Sequence, residues 1–195
     1  VRECNIDGLG SSLKAFFLNG QYRLAVGFGE GESTRNGKSI IILDMLLRIV
    51  ADNLTLHQQT VDALDLIHDN NILVSVSRDN VLAFWNMNTF SLVQRRQNAH
   101  SNGVGGGHDI RSLIALNFNT IATGGRDGNV KIWRFEYSNI TILTELMNKN
   151  FNNQTALPAK YVTDFDMDFN NFYSISTDDR RALSWRLYDY SDSSI

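Results

Sequence analysis

Three tryptophans, the only three among 195 residues, each stand six positions after an aspartate: Trp85 after Asp79, Trp133 after Asp127 and Trp185 after Asp179. The surroundings repeat as well. An apolar run, 72–77, 120–125 or 172–177, leads into a polar turn that holds the aspartate, and a second run ends on the tryptophan. A strand has a side-chain period of two. After a short hairpin, its far end therefore returns beside the start of the strand before it. A buried indole N–H needs an acceptor, and a turn carboxylate can accept hydrogen bonds. The turn Arg126-Asp127-Gly128-Asn129 is the strongest of the three, because Asp-Gly suits the left-handed backbone of a tight hairpin.

Each unit has more than a hairpin. Strand-like segments precede it at 61–67, 110–116 and 161–167, and follow it at 91–94, 140–146 and 187–190. Four short strands in sequence order make an antiparallel meander. A fainter copy reads through 12–17, 22–28, 38–43 and 46–51, with Leu43 in the place of the tryptophan. The steps from Leu43 to Trp85, Trp133 and Trp185 are 42, 48 and 52 residues, so the unit persists while its loops vary. Asparagines cluster at 70–71, 117–119, 148–153 and 170–171, where they read as loop tips.

These units resemble WD40 repeats, the four-stranded blades of an all-β propeller, with their period of about 40–45 residues. The resemblance covers nearly the whole of 1–195, in units at about 7–53, 54–99, 100–150 and 156–195, and is strongest over 121–133. It implies a structural tetrad of His, Ser or Thr, Asp and Trp in each blade. Carried onto this chain, the first clear unit supplies His57, Ser77, Asp79 and Trp85. The second supplies Asp127 and Trp133, with Gly125 where the hydroxyl is expected and His108 after Gly107 as the nearest match to the family's Gly-His. The third supplies Thr177, Asp179 and Trp185, with no histidine near Pro158. Asn86, Arg134 and Arg186 follow the tryptophans, so the Trp-Asp dipeptide itself is missing.

About four blades fill the chain, whereas propellers close with about 4–8, and the resemblance implies seven as the usual number. The chain thus reads as a segment of a larger ring that needs further blades or a partner half, with a closed four-bladed ring as the alternative. Residues 1–6 read as the outer strand of a preceding blade. An isolated arc would expose edges and apolar flanks.

Composition narrows the function. A formal net charge of −3 disfavours non-specific nucleic-acid binding, and one cysteine leaves no disulfide framework or Cys-rich zinc site. No apolar run approaches the roughly 18 residues of a membrane helix. No signal peptide is visible, so the chain is expected in the cytoplasm or nucleus and the sequons at Asn53, Asn139 and Asn153 are read as unmodified.

Candidate chemistry is thin. The loop from Gly31 to Ser39 imitates a phosphate-binding loop, but Gly31 and Gly37 enclose five residues instead of four, and Glu32 would repel phosphate. A nucleotide-binding enzyme is therefore the remotest alternative. His57, His68, His100 and His108 lack face-sharing metal spacings, there is no Gly-x-Ser-x-Gly elbow, and Cys4 lies near the chain's start. We expect no enzyme, cofactor or metal.

Binding surfaces remain. Arg78 and Arg126 each precede a turn aspartate, and Arg180 and Arg181 follow the third. Arginines on one propeller face would suit acidic or phosphorylated peptides through bidentate bonds. His108, in the Gly-rich loop 98–109, is a further candidate partner-binding residue. The reading is a non-catalytic protein–protein interaction scaffold in a multi-protein intracellular assembly. An RNA-contacting component of an RNA-processing or ribosome-assembly complex is the alternative.

Overall fold

A computed structural model of the chain describes residues 9–29, 39–67, 71–100, 109–147, 162–168, 171–176 and 181–186. Every regular element among them is a strand. The first sheet holds β1 (Gly10–Leu18), β2 (Gln21–Phe28), β3 (Ser39–Asp44) and β4 (Ile49–Thr55). The second holds β5 (Val61–Ile67), β6 (Ile72–Ser77), β7 (Val81–Asn86) and β8 (Ser91–Gln97). The third holds β9 (Ile110–Ala115), β10 (Thr120–Gly125), β11 (Asn129–Glu136) and β12 (Asn139–Met147). The fourth holds β13 (Val162–Met167), β14 (Asn171–Ser176) and β15 (Arg181–Arg186). Each sheet is antiparallel, with its strands in chain order. Segments 1–6 and 187–190, read as outer strands, lie outside the described residues.

Turn chemistry sets the hairpins. Asn19 and Gly20 join β1 to β2 with φ of 49° and 78°, the pair of left-handed residues that a two-residue hairpin requires. Asn71, in one of the asparagine clusters, takes positive φ, and so do Asn80 and Asn98, which lie outside the clusters. The last strand of the first sheet begins at Ile49, three residues later than the sequence pattern indicates. The cause is Asp44. Its carboxylate accepts the N–H groups of Leu46 (2.8 Å) and Arg48 (2.9 Å), which holds 45–48 in a wider turn with Leu47 at φ 60°.

The core lies between the sheets, in layers. Phe16, Ile40, Ile42 and Leu54 of the first sheet meet Leu66 and Trp85 of the second. Val74, Leu82 and Phe84 of the second meet Ile121, Trp133 and Phe135 of the third. Ala122 and Ile132 of the third meet Val162 and Phe172 of the fourth. Inner strands β6 and β10 are buried along their whole length, which explains why they read as continuous apolar or small-residue runs.

The innermost strands form a row: β1 packs on β5, β5 on β9 and β9 on β13. Small polar devices repeat along it. Ser12 donates to the Val61 carbonyl (2.8 Å), and Ser112 occupies the corresponding place and donates to the Val162 carbonyl (3.2 Å). A side chain on Gly124 would collide with Val162, so this glycine permits the third and fourth sheets to approach. Asp65 ties three inner strands together. It pairs with Lys14 of β1 (2.5 Å) and accepts the N–H of Ala115 of β9 (2.6 Å) and of Leu66 on its own strand (2.8 Å).

Candidate functional site: turn networks and a charged face

In the second sheet His57, Ser75, Asp79 and Trp85 form one buried network. The Trp85 indole N–H donates to Ser75 Oγ (2.9 Å), His57 Nε2 bonds the same hydroxyl (2.7 Å), and His57 Nδ1 meets Asp79 Oδ2 (3.2 Å). Asp79 also accepts the N–H of Gln58 (2.7 Å) and of Val81 (3.0 Å), which locks the turn to the segment entering the sheet. The hydroxyl is Ser75 and not Ser77. Trp85 pairs across the ladder with Leu73, so the next residue on its face is Ser75; Ser77 lies one step further, at the strand end. There Ser77 Oγ donates to the Gln59 carbonyl (3.1 Å) and accepts the Asp79 N–H (3.2 Å).

The third sheet repeats the network with Thr123 at the same register. Trp133 donates to Thr123 Oγ1 (2.7 Å), His100 Nε2 bonds that oxygen (2.8 Å), and His100 Nδ1 meets Asp127 Oδ1 (2.9 Å). Thus Gly125 is not a lost hydroxyl. A Cβ there would overlap the His100 ring, so the glycine makes room for the histidine. The sequence pattern conceals His100 because the loop after it is long and offers a second histidine, His108. That residue, with Thr177, Asp179 and Arg180, lies outside the described residues. Trp185 and Arg181 are placed in β15, where Trp185 pairs with Phe172 and Arg181 with Ser176. The first sheet replaces the network by an apolar cluster. Leu43 stands at the tryptophan register and Val26 at the hydroxyl register, buried with Phe28 and Ile41.

Burial pushes the Asp79 carboxyl up, but the hydrogen bond and charge of His57, with the N–H of Gln58 and the Ser77 hydroxyl, more than offset it. The group stays below its ordinary 3.8. A depressed folded pKa stabilises the fold fully above the unfolded value and loses that contribution as pH falls through the folded one. Urea unfolding of the wild type and of Asp79→Asn should therefore differ most near neutral pH. The gap should narrow as pH falls below 3.8, because a protonated Asp79 no longer forms the charged contact.

The turns that carry Asp79 and Asp127 share one end of the sheets with the starts of the inner strands, and charges line up there. Arg78 grips Asp62 through Nε (3.0 Å to Oδ2) and Nη2 (3.1 Å to Oδ1). Arg111 donates to Asp109 (2.7 Å), and Arg126 approaches the same oxygen at 3.7 Å. Burial raises the Asp62 carboxyl above 3.8 against the opposing pull of Arg78, and the charges of Arg111 and Asp109 reach it too. Arg78 and Arg126 are therefore members of an alternating ladder with acidic partners from the inner strands, not a bare basic ring. Their side chains and that of Arg111 remain 29–36% exposed. Sequence reasoning misses Asp62, Asp109 and Arg111; the signal that marks the two aspartates is their place at the start of β5 and β9, 16 and 17 residues before an arginine at the turn.

At the opposite end of the axis a cavity of about 480 Å³ is lined by Lys14, Asp65, Leu66, Ile114, Phe118 and Met167. The Lys14–Asp65 pair closes its polar side. Among the described residues no three His, Cys, Asp or Glu side chains gather as metal ligands. The imitation phosphate loop lies outside them up to Lys38.

The family model for the WD domain, G-beta repeat, matches residues 50–86 and 95–134. No curated protein matches the chain. Several solved structures share its fold. The computationally designed Ika4 protein is 21% identical with a TM-score of 0.61, over 93% of both chains. U3-55K is 20% identical with a TM-score of 0.62, over 86% of this chain and 44% of that one. A chain of the mitotic checkpoint complex is 22% identical with a TM-score of 0.64, over 86% and 46%. The chain spans less than half the length of the last two. With repeated Asp-Trp hairpins and four meander sheets stacked in series, the chain has a β-propeller type of architecture, in which residues 50–86 and 95–134 match the WD40 repeat.

Proposed function

We propose that the chain is a non-catalytic scaffold that binds a protein partner on the charged face, within an intracellular multi-protein assembly. The observation that carries this reading is the ladder of Arg78, Asp62, Arg111, Asp109 and Arg126. It sits where turns are held by two buried His–Asp networks, so its geometry is set before any partner arrives. Guanidiniums one-third exposed can meet an incoming carboxylate or phosphate while the aspartates fix their direction. The partner segment is acidic or phosphorylated, and the aspartates reward lysine or arginine placed between its acidic groups.

The test is quantitative capture of cellular proteins by the wild type and by the Arg111→Glu/Arg126→Glu variant. Partner recovery should fall at least tenfold in the variant, with an unchanged melt, because surface pairs of this kind contribute only about 0–1 kcal/mol to stability. Recovery by the wild type should also weaken as salt is raised. Equal recovery by both proteins at all salt concentrations would remove the charged face from the account.

A further inference from the structure

In an antiparallel meander the turns after the first and third strands share one end, and the turn after the second lies at the other. In the first sheet the turn at 19–20 and the wider turn at 45–48 therefore stand at the same end, away from the charged ladder. Between them lies a cleft of about 350 Å³, whose walls include Gln21, Tyr22, Arg23, Met45, Leu46 and Arg48. That volume falls within the range of ligand pockets, about 300–1,000 Å³. Met45, Tyr22 and Leu46 are 67%, 59% and 47% exposed. Single exposed apolar side chains are ordinary, but these three meet around one hollow. The ring of Phe17 touches that of Tyr22 edge to face at 4.9 Å and steadies it.

The charges of the cleft are unevenly satisfied. Asp44 is fully engaged within its own turn: it accepts the N–H groups of Leu46 and Arg48 and pairs with the Arg48 guanidinium at 2.7 Å. Arg23 stands directly opposite Asp44 in the ladder but receives none of that carboxylate. Its Nη2 donates to the neutral Gln21 Oε1 (2.5 Å), and its Nε is buried with no acceptor. Among the described residues no carboxylate pairs with Arg23, whereas Arg78, Arg111 and Arg126 of the ladder each meet one. A half-buried guanidinium with an unmet donor is rare in a folded chain and calls for a reason. An anionic group brought by a partner supplies one.

We propose that this cleft is a second docking site, which takes a short segment of a partner protein carrying an acidic side chain next to a bulky apolar one. The carboxylate meets the Arg23 guanidinium in a charge-assisted pair, stronger than the bond to Gln21 that it displaces or joins. The apolar side chain enters between Tyr22, Met45 and Leu46, where the flexible thioether of Met45 adapts to its shape. The hollow favours a peptide over a membrane, because a flat bilayer surface would reach the exposed turn residues but not a half-buried guanidinium. The site belongs to the first blade and is independent of what the charged face binds.

The test begins with short random peptides displayed on phage and panned on the Arg111→Glu/Arg126→Glu variant, so that the charged face does not select them. Peptides in which Asp or Glu adjoins Leu, Met, Phe or Trp should be enriched. Labelled with fluorescein, they should bind the wild type with the same affinity as the panning variant. Arg23→Gln should weaken them about tenfold or more, the loss of a charge-assisted hydrogen bond. Met45→Ser should weaken them about fivefold through lost apolar contact. If Arg23→Gln shifts the melt, Met45→Ser, a change in an exposed turn, carries the test by itself. Absence of acidic–apolar peptides among those selected overturns the proposal, as does equal binding by both cleft variants. Wild-type binding to vesicles of equal parts phosphatidylcholine and phosphatidylserine that Met45→Ser abolishes overturns it too, in favour of a membrane contact.

Discussion

Trp133→Ala should lower the free energy of unfolding by about 3–5 kcal/mol, the range for truncating a fully buried large aromatic. Trp133 is completely buried, and its indole N–H donates to Thr123. Alanine removes the ring and leaves a cavity between the second and third blades. It also strips one donor from a hydroxyl that His100 shares. Trp133→Phe should cost less, since it keeps most of the apolar volume and loses chiefly the hydrogen bond, worth about 0.5–1.5 kcal/mol. Urea midpoints for the two variants, read at equal slope, separate the packing and hydrogen-bond parts.

Phe84→Ala should be as costly, about 3–5 kcal/mol, and should also change the shape of the transition. Phe84 of the second blade stacks on Phe135 of the third at 4.6 Å with the rings 13° apart. The contact therefore belongs to the interface between blades and not to either sheet. In a stacked array, stability is a sum of unit terms and nearest-neighbour terms. Weakening one interface should let the two sides unfold separately, giving two steps where the wild type shows one. The cycle of Phe84→Ala, Phe135→Ala and the double variant should report a coupling of about 0.5–1.5 kcal/mol.

The recurring Asp-to-Trp interval makes the hairpins legible in the sequence, because a strand period of two and a fixed turn leave little freedom. The second and third sheets follow it closely, and the antiparallel order of all four is readable from apolar runs and turn residues. What the interval does not locate is the hydroxyl. Ser77 and Thr177 lie nearest the turn, but cross-strand register selects the residue diagonal to the tryptophan, which is Ser75 in one blade and Thr123 in the next. Register is a property of the pair of strands, so one strand read alone hides it.

His100 is hidden for another reason. It lies 27 residues before Asp127, and nothing local marks a side chain whose partner is supplied by a distant turn. The charged ladder shows the same limit from the other side. The arginines are visible as a repeated position, but their partners Asp62 and Asp109 come from strand starts that the fold brings alongside. Pairing turns the feature from a basic ring into an alternating one, and with that the expected partner gains basic residues between its acidic groups. The first blade's apolar substitutes, Leu43 and Val26, keep the strand pairing of the others while losing the polar network. This is why its sequence signal is faint and its sheet is nonetheless complete.

Recognition through the charged end of the propeller is the central claim, and site-specific photo-cross-linking tests it most directly. A benzophenone amino acid placed at Arg126 would probe the ladder end, and one at Phe118, in the turn between β9 and β10, would probe the opposite end. The account predicts discrete protein adducts from position 126 that are competed by excess unlabelled wild-type chain, and none from position 118. Adducts from position 118 alone, or identical adducts from both positions, would contradict it.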